Sequence, residues 1–117
     1  MISLLPPGAR IFVACDAVDG RKGFDSLAAI VKSALKREPL EGSIFVFRNK
    51  SGHRCRCLVW DRTGWMMLLK RLESGIFRFP SGDQASIEID AGQLRMLLDG
   101  IEMGVRAPRT NSEARGA

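Results

Sequence analysis

The chain has 117 residues, 45% of them hydrophobic and 26% charged, and its 18 Lys and Arg against 13 Asp and Glu give a net charge of +5 at pH 7. This length predicts one domain with a modest core, which we expect to span residues 1–106. No apolar run approaches the roughly 20 residues of a membrane-spanning helix, and three cysteines make no secretory disulfide framework, so we expect a cytoplasmic protein without a membrane partner.

The first part of the chain predicts a strand followed by a helix. The apolar run "RIFVAC", residues 10–15, follows two prolines and a glycine and is typical of a buried strand. Beyond it the apolar residues recur with the period of a helix that buries one face, and Pro39 ends this pattern. The face expected to be buried consists of Phe24, Leu27, Ala28, Val31, Ala34 and Leu35.

The middle of the chain predicts antiparallel strands. "SIFVFR" and "HRCRCLVW" flank "NKSG", whose Asn, Ser and Gly favour a turn, so we expect a hairpin with residues 49–52 as its loop. The next segment, "GWMMLLKRLE" at 64–73, has an apolar run that fits either a strand or a helix. We favour a strand, because the connection is short and the preceding element is a strand.

The last part of the chain predicts two more strands and a helix. "GIFRFP" and "SIEI" both have strand-like patterns. Asp90 and Gln93 have the spacing of a capping box at the start of the helix, and we expect Gly100 or Gly104 to end it. The helical face expected to be buried consists of Leu94, Leu97, Leu98 and Ile101.

These elements add up to a single α+β domain. We expect a mostly antiparallel sheet in the order β-α-β-β-β-β-β-α, with two helices packed on it. Residues 107–117 show no apolar periodicity and are expected to form a disordered C-terminal tail.

Positive charge is concentrated in the middle of the chain. Between residues 48 and 78 only Asp61 and Glu73 oppose a run of basic residues. This distribution favours a binding face for a polyanion, because Lys and Arg neutralise phosphates and release counterions. The basic residues of the run are Arg48, Lys50, Arg54, Arg56, Arg62, Lys70, Arg71 and Arg78.

The segment "DGRKGFDSL", residues 19–27, places two basic residues between two glycines just before the predicted helix. A helix N-terminus carries unpaired N–H groups that attract anions, and Arg21 and Lys22 would add positive charge to such a site. The same residues also fit a solvated turn in which Asp19 caps backbone N–H groups or pairs with Arg21. The Walker pattern is absent, which argues against nucleotide hydrolysis, and the other two interpretations stay open.

The predicted hairpin carries a second candidate surface. Arg54 and Arg56 share one face of their strand, and with "NKSG" as the whole loop Phe47 lies opposite Arg54 and Phe45 opposite Arg56. A face that mixes aromatic rings with guanidinium groups suits stacking on bases. The alternative is a sheet whose Phe side chains are core and whose Arg side chains are solvated.

Metal binding and catalysis have little support in the sequence. His53, Cys55 and Cys57 would share one strand face, but three such side chains spread over about 13 Å and cannot all reach one zinc ion. We therefore predict no metal site, no cofactor and no catalytic residues, and treat a metal-dependent nuclease as an alternative. The carboxylates of that alternative are Asp19, Asp61 and Glu73.

Several motifs of the chain occur together in a known family. They are "LPPGARIFVA", "DGRKGFDSLAAIV", "IFVFRNKSGHRCRCLVWD", "KRLESGIFRFP" and "LRMLLDGI", in that order. With them the chain resembles, nearly from end to end, the small accessory protein often labelled TnpB of the bacterial insertion-sequence family numbered sixty-six. The chain departs from the family at Gly20, where a bulky residue is expected, and at Phe79, where Trp is expected. The matching positions are Asp19, Arg21, Lys22 and Gly23, then Trp60 and Asp61, then Lys70, Arg71, Leu72 and Glu73.

The resemblance implies a protein that is encoded beside a DDE-type transposase and is needed with it for efficient transposition. It implies no cutting or joining of DNA by the protein itself. The partners it implies are the transposase, the other accessory protein of the element, and DNA.

The basic run and the resemblance together predict a non-catalytic accessory protein that binds DNA, the transposase, or both. The main alternative is a protein-interaction module whose basic face meets an acidic patch on the transposase without contacting DNA. An exposed sheet edge would also permit a homodimer. The residues expected to contact phosphates are Arg21, Lys22, Arg54, Arg56, Lys70 and Arg71.

Overall fold

A five-stranded sheet is the centre of the part of the chain that the computed structural model describes, residues 7–101. Its strands lie in the order β4-β3-β2-β1-β5, with β1 and β2 parallel and every other neighbouring pair antiparallel. The strands are β1 (Ile11–Ala14), β2 (Ile44–Arg48), β3 (Arg54–Trp60), β4 (Trp65–Arg71) and β5 (Ser86–Ile89). The helices are α1 (Phe24–Ser33) and α2 (Ala91–Leu98), and Pro39–Glu41 forms a 3₁₀ turn.

The two helices cover opposite faces of the sheet. Because side chains alternate along a strand, each buried strand contributes to both faces. On the α1 face the core contains Phe12, Ala14, Leu27, Val31, Leu35, Phe45, Phe47 and Leu58. On the α2 face it contains Ile11, Val13, Ile44, Val46, Cys55, Cys57, Val59, Phe77, Ile89, Leu94 and Leu97. The predicted α+β architecture is confirmed, and so is the choice of a strand for the segment that forms β4.

Helix α1 makes the parallel connection between β1 and β2 and meets the sheet through Leu27 and Val31. Phe24 and Ala34 are exposed, so their predicted burial is wrong. Phe24 lies in the first turn, before the part of the helix that contacts the sheet, and Ala34 follows the last helical residue.

Helix α2 begins with the predicted capping box. The Gln93 N–H donates to Asp90 Oδ1 and the Asp90 N–H donates to Gln93 Oε1, both at 2.8 Å. Gly100 follows the helix with a φ of 78°, which glycine adopts without strain, and this confirms Gly100 as a stop. The chain changes direction there, which leaves Ile101 exposed and its predicted burial wrong. Gly104 lies outside the described residues.

The segment predicted as a strand at "GIFRFP" is not one, so the part of the sheet formed by residues 7–101 has five strands rather than six. Phe77 explains the difference, since its N–H donates to the carbonyl of Gly52 at 2.8 Å and its ring is buried in the α2-face core. The segment thus packs across the sheet and does not extend the ladder. Pro80 has no N–H to contribute to a ladder.

The β2–β3 hairpin forms as predicted, but in a different register. Phe47 lies opposite Arg56 and Phe45 opposite Leu58, which shifts the predicted pairing by two residues. The shift arises because the Asn49 N–H donates to the Arg54 carbonyl and Asn49 Oδ1 accepts from the Arg54 N–H, so the loop begins after Asn49. An even shift leaves every side chain on its predicted face.

The predicted domain end at residue 106 and the predicted tail, residues 107–117, lie outside the described residues. Within residues 7–101 no helix is long and apolar enough to cross a membrane.

Candidate nucleic-acid interface

Asp19 organises the turn that precedes α1, residues 19–22. Its Oδ1 accepts the Arg21 N–H at 2.9 Å, and its carboxylate also binds the Arg21 guanidinium at 3.1 and 2.8 Å. These hydrogen bonds hold the pKa of the Asp19 carboxyl well below its usual range and raise the pKa of Arg21. Asp19 therefore caps the turn and pairs with Arg21, as one of the two interpretations of this segment expected. The Arg21 side chain is nevertheless 92% exposed.

Arg56 ties this turn to the sheet. Its side chain is on the α1 face of β3, opposite Phe47, and the residue is only 7% exposed. Its Nη1 donates to the Lys22 carbonyl, and its Nη2 donates to the Asp19 carbonyl at 3.1 Å. Burial lowers the pKa of this guanidinium. The turn consequently lies on the α1 face, at the end of the sheet where β3 begins.

Arg54 and Arg71 bring positive charge to the same end of the sheet. Arg54 is two residues before Arg56 on β3, and so on the same face, and Arg71 of β4 is its direct cross-strand partner. Arg71 forms an ion pair with Glu73 at 3.1 Å, whereas neither Arg54 nor Lys22 has an ion-pair partner among residues 7–101. All of these cations are exposed. We call Arg21, Lys22, Arg54 and Arg71 the basic surface.

Lys70 belongs to the other face. Its Nζ donates to the carbonyl of Leu98 at 2.6 Å and lies 4.0 Å from Asp99 Oδ1. A lysine in this place satisfies a carbonyl at the C-terminal end of α2 and complements the helix dipole. Of the six predicted phosphate contacts, the structure thus brings four together and engages Arg56 and Lys70 in internal hydrogen bonds.

A cleft of about 600 Å³ lies between the segment before α1 and the tip of the β2–β3 hairpin. Its lining includes Asp19, Arg21, Asn49 and Lys50. The sequence prediction missed this cleft, because the hydrogen bond from the Val18 N–H to the carbonyl of Arg48 that joins the two segments is long-range. The sequence feature that could have indicated the cleft is the turn-forming Asn49 next to Lys50.

The motif residues Trp60 and Asp61 lie at the opposite end of β3. Asp61 Oδ1 accepts the N–H groups of Thr63 at 3.1 Å and Gly64 at 3.0 Å, which shapes the β3–β4 turn and lowers the pKa of Asp61. The ring of Trp60 packs edge-on against Trp65, with 5.1 Å between their centroids. These residues stabilise a turn, and they take no part in the basic surface.

The three carboxylates considered for a nuclease are not brought together. Asp61 follows β3 at one end of the sheet, while Glu73 follows β4 at the other, a separation of roughly 20 Å along a seven-residue strand. Asp19 is occupied by Arg21. Within residues 7–101 no group of three or more His, Cys, Asp or Glu side chains could hold a metal ion.

The aromatic rings and thiols of the hairpin are core residues. Phe45 and Phe47 are fully buried, so they cannot stack on bases. The alternative interpretation of this face is correct for these Phe side chains and for the exposed Arg54, but it is wrong for Arg56, which is buried and bonded to the 19–22 turn. Cys55 and Cys57 are buried side by side on the α2 face, where hydrogen bonding and burial raise the pKa of Cys55. His53 is exposed, and its Nδ1 lies 3.1 Å from the carbonyl of Gly75.

The sequence matches the family described as IS66 Orf2 like protein over residues 9–107, a range that includes every strand and helix and the whole basic surface. The chain belongs to this family. Members of the IS66 Orf2 like family are accessory proteins of insertion sequences, so the resemblance deduced from the motifs is confirmed.

Two proteins of Sinorhizobium fredii (strain NBRC 101917 / NGR234) are similar to this member of the IS66 Orf2 like family. Uncharacterized protein y4jC is 41% identical over 95 residues, 81% of each chain. Uncharacterized protein y4hO is 41% identical over 101 residues, 85% of this chain and 88% of its own. No solved structure matches the chain at a significant level.

Proposed function

We propose that the protein is a non-catalytic accessory protein of transposition that binds DNA through the basic surface. The observation that carries the proposal is the direct opposition of Arg54 and Arg71, beside a turn that Arg56 holds in place. Like charges directly opposite each other across two strands destabilise a sheet. A phosphate between them would relieve that repulsion, which is a reason for a fold to keep the pair.

The expected binding mode is contact with phosphates rather than with bases. The cations of the basic surface come from one turn and two strands, so they can meet several phosphates of one duplex. The nearby rings of Phe45 and Phe47 are buried and offer no stacking platform. Phosphate contacts fix position without reading sequence. We therefore propose binding with little sequence preference, and action in the cytoplasm, where the DNA of the element lies.

The cleft beside Lys50 extends this surface. Arg21 lines the cleft and also belongs to the basic surface, so a strand of DNA that leaves Arg54 can continue towards Lys50. Asp19 and Glu73 offset part of the charge of Arg21 and Arg71. Lys22 and Arg54, which have no such partner within residues 7–101, should therefore contribute most.

The salt dependence of DNA binding tests the proposal. Fluorescence anisotropy with a labelled duplex should give a binding constant that falls with salt, and each lost phosphate contact lowers the slope by about one unit. We expect that decrease for Arg54→Ala, for Arg71→Ala and for Lys22→Ala. Arg95→Ala is the matched control, because Arg95 is an exposed arginine on α2, on the other face of the sheet.

Two results would argue against DNA contact. Slopes that stay at the wild-type value in all three variants would remove the basic surface from DNA binding, as would an equal decrease in Arg95→Ala. Co-purification of the transposase that survives nuclease treatment but is lost in Arg54→Ala would assign the surface to an acidic patch on that partner.

A further inference from the structure

Among residues 7–101, strand β4 forms a long edge of the sheet. Its seven residues, Trp65–Arg71, pair with β3 on one side, and within residues 7–101 no strand pairs with the other side. The opposite edge is β5, which has only four residues. Exposed edges of this length are usually shortened, bulged or covered, because their free N–H and C=O groups recruit another strand.

The backbone groups that β4 offers can be identified from the ladder. The Asn49 N–H donates to the Arg54 carbonyl, so the backbone of Arg54 points towards β2. The Leu72 N–H donates to the His53 carbonyl, so His53 points towards β4. Because the direction alternates along a strand, every second residue of β4 bonds to β3 and the others face outward. The outward-facing residues are Trp65, Met67, Leu69 and Arg71.

This edge is complementary to itself. If two copies of β4 pair antiparallel about a two-fold axis at Leu68, Trp65 meets Arg71 and Met67 meets Leu69 of the other copy. All outward backbone groups then find partners, in about eight hydrogen bonds. Any shift of the axis along the strand leaves some of them unpaired.

The side chains fit the same register. Leu69 is 59% exposed on the α1 face, and Met67 of the second copy would cover it. Arg71 would lie beside the indole of Trp65, a favourable cation–π pairing. No like charges are opposed across the new junction, in contrast to Arg54 and Arg71 within one chain.

We infer that β4 is the docking surface for a second copy of this chain, which continues the sheet through a symmetric β4–β4 contact. Both copies keep α1 on the same side of the joined sheet, because the two-fold axis is perpendicular to it. The inference rests on the edge and its register and not on DNA binding. Arg71 takes part in both proposals, but the variants that test the edge, Leu69→Lys and Leu68→Cys, leave the cations of the basic surface unchanged.

Sedimentation velocity of the full chain over a concentration series tests the contact. We expect a monomer–dimer equilibrium for the wild type and association weakened about tenfold or more by Leu69→Lys, which places a charge against Met67 of the other copy. Leu40→Lys is the matched control, because Leu40 is 51% exposed in the 3₁₀ turn, away from the edge, and should leave association unchanged.

A cross-link tests the register independently. Cys57 is the direct cross-strand partner of Leu68, so both cysteine variants are made in a Cys57→Ser background. In Leu68→Cys the two thiols would then face each other at the axis with about 4.5 Å between Cα atoms, within the range of a disulfide. In Met66→Cys, on the same face of the same strand, the thiols would lie roughly 13 Å apart. Mild oxidation should therefore yield a covalent dimer from Leu68→Cys and not from Met66→Cys or from the wild type, whose three cysteines are buried.

Three outcomes would overturn the inference. They are a wild type that is monomeric at every concentration, a Leu69→Lys variant that associates like the wild type, and a Met66→Cys variant that cross-links as readily as Leu68→Cys. A monomeric wild type whose melting temperature falls on Leu69→Lys but not on Leu40→Lys would assign the edge to a segment of its own chain instead.

Discussion

Arginines lie at both ends of the sheet, and Arg10 and Arg37 at one end differ from Arg54 at the other in having an acidic partner. At the end where β1 begins, Arg10 binds Glu88 with two hydrogen bonds of 2.9 and 2.8 Å. Arg37 pairs there with Glu41, and its guanidinium lies 3.8 Å from the centroid of the Phe12 ring. At the other end Arg54 faces Arg71 and has no ion-pair partner within residues 7–101.

The difference teaches that the number of cations does not locate a binding surface. Both ends are basic in sequence, but the charges of Arg10 and Arg37 are satisfied within the fold. At the other end Arg21 and Arg71 each have one acidic partner, whereas Arg54 and Lys22 have none within residues 7–101. What distinguishes Arg10 and Arg37 from Arg54 is an acidic partner, which for Arg10 is 78 residues away in the chain and for Arg37 is four residues away.

Removing the Arg56 side chain, which binds the 19–22 turn to β3, should have the largest effect on stability. Arg56→Ala removes the donor to the Lys22 carbonyl, leaves the Asp19 carbonyl with the Lys22 N–H as its donor, and opens a void beside Phe47. We expect a loss of about 2–4 kcal/mol in the free energy of unfolding, measured by urea denaturation, and faster amide exchange in the 19–22 turn.

Two further variants calibrate that result. Arg56→Lys keeps the charge but has one ammonium for two carbonyls, so its stability should fall between those of Arg56→Ala and the wild type. Arg95→Ala removes an exposed arginine and should change stability by at most about 0.5 kcal/mol. Wild-type stability in Arg56→Ala would mean that the guanidinium does not hold the turn.

Charge reversal at either end should separate the two roles. Arg54→Glu removes one cation and adds one anion at the basic surface, so we expect DNA affinity to fall tenfold or more, with the salt slope lowered by about two units. Its stability should stay the same or rise, because the repulsion with Arg71 disappears. Arg10→Glu should do the opposite, with lower stability next to Glu88 and an unchanged salt slope. Equal loss of DNA affinity in both variants would contradict the distinction between the ends.

The smallest expected effect is a pH dependence of the stability that the Arg10–Glu88 ion pair contributes. The hydrogen bonds from Arg10 lower the pKa of Glu88 below its usual value. A carboxyl group with a depressed pKa stabilises the fold above its unfolded pKa of about 4.3, and this contribution is lost as the pH falls through the folded value. The difference in urea midpoint between the wild type and Glu88→Gln should therefore be clear near neutral pH and shrink below about pH 4. In an Arg10→Gln background the difference should be small at every pH, and a difference of the original size there would contradict this cause.

The sequence predicted those parts of the fold that depend on local chemistry. The capping box of α2 needs only Asp90 and Gln93, which are three residues apart, and it forms as expected. The strand that became β4 was ambiguous by its pattern and was decided by its short connection to β3. The strand predicted at "GIFRFP", residues 75–80, does not form, because the burial of Phe77 on the α2 face competes with ladder formation and no local pattern encodes that competition.

The candidate residues of the basic surface could be named from the sequence, but the positions of their side chains could not. The sequence predicts Arg21, Lys22, Arg54 and Arg71 as phosphate contacts from their charge, from the segment before α1, from the hairpin and from the family motifs. Arg56 has the same side-chain chemistry but a different role, which follows from its position opposite Phe47 and from a hairpin register that Asn49 shifts by two residues. Lys70 precedes Arg71 in β4, so its side chain lies on the opposite face of the sheet, where it contacts the C-terminal end of α2.

The sequence separation between Arg56 and its two acceptors also affects the order in which parts of the protein fold. Its two acceptors precede it by 34 and 37 residues, so the 19–22 turn leaves the ribosome well before the side chain that holds it. Contacts of such sequence separation form only after the intervening chain has been assembled. The turn therefore gains its final shape when β3 joins β2, and a nascent chain that ends before Arg56 has the basic residues of the turn without the surface to which they belong.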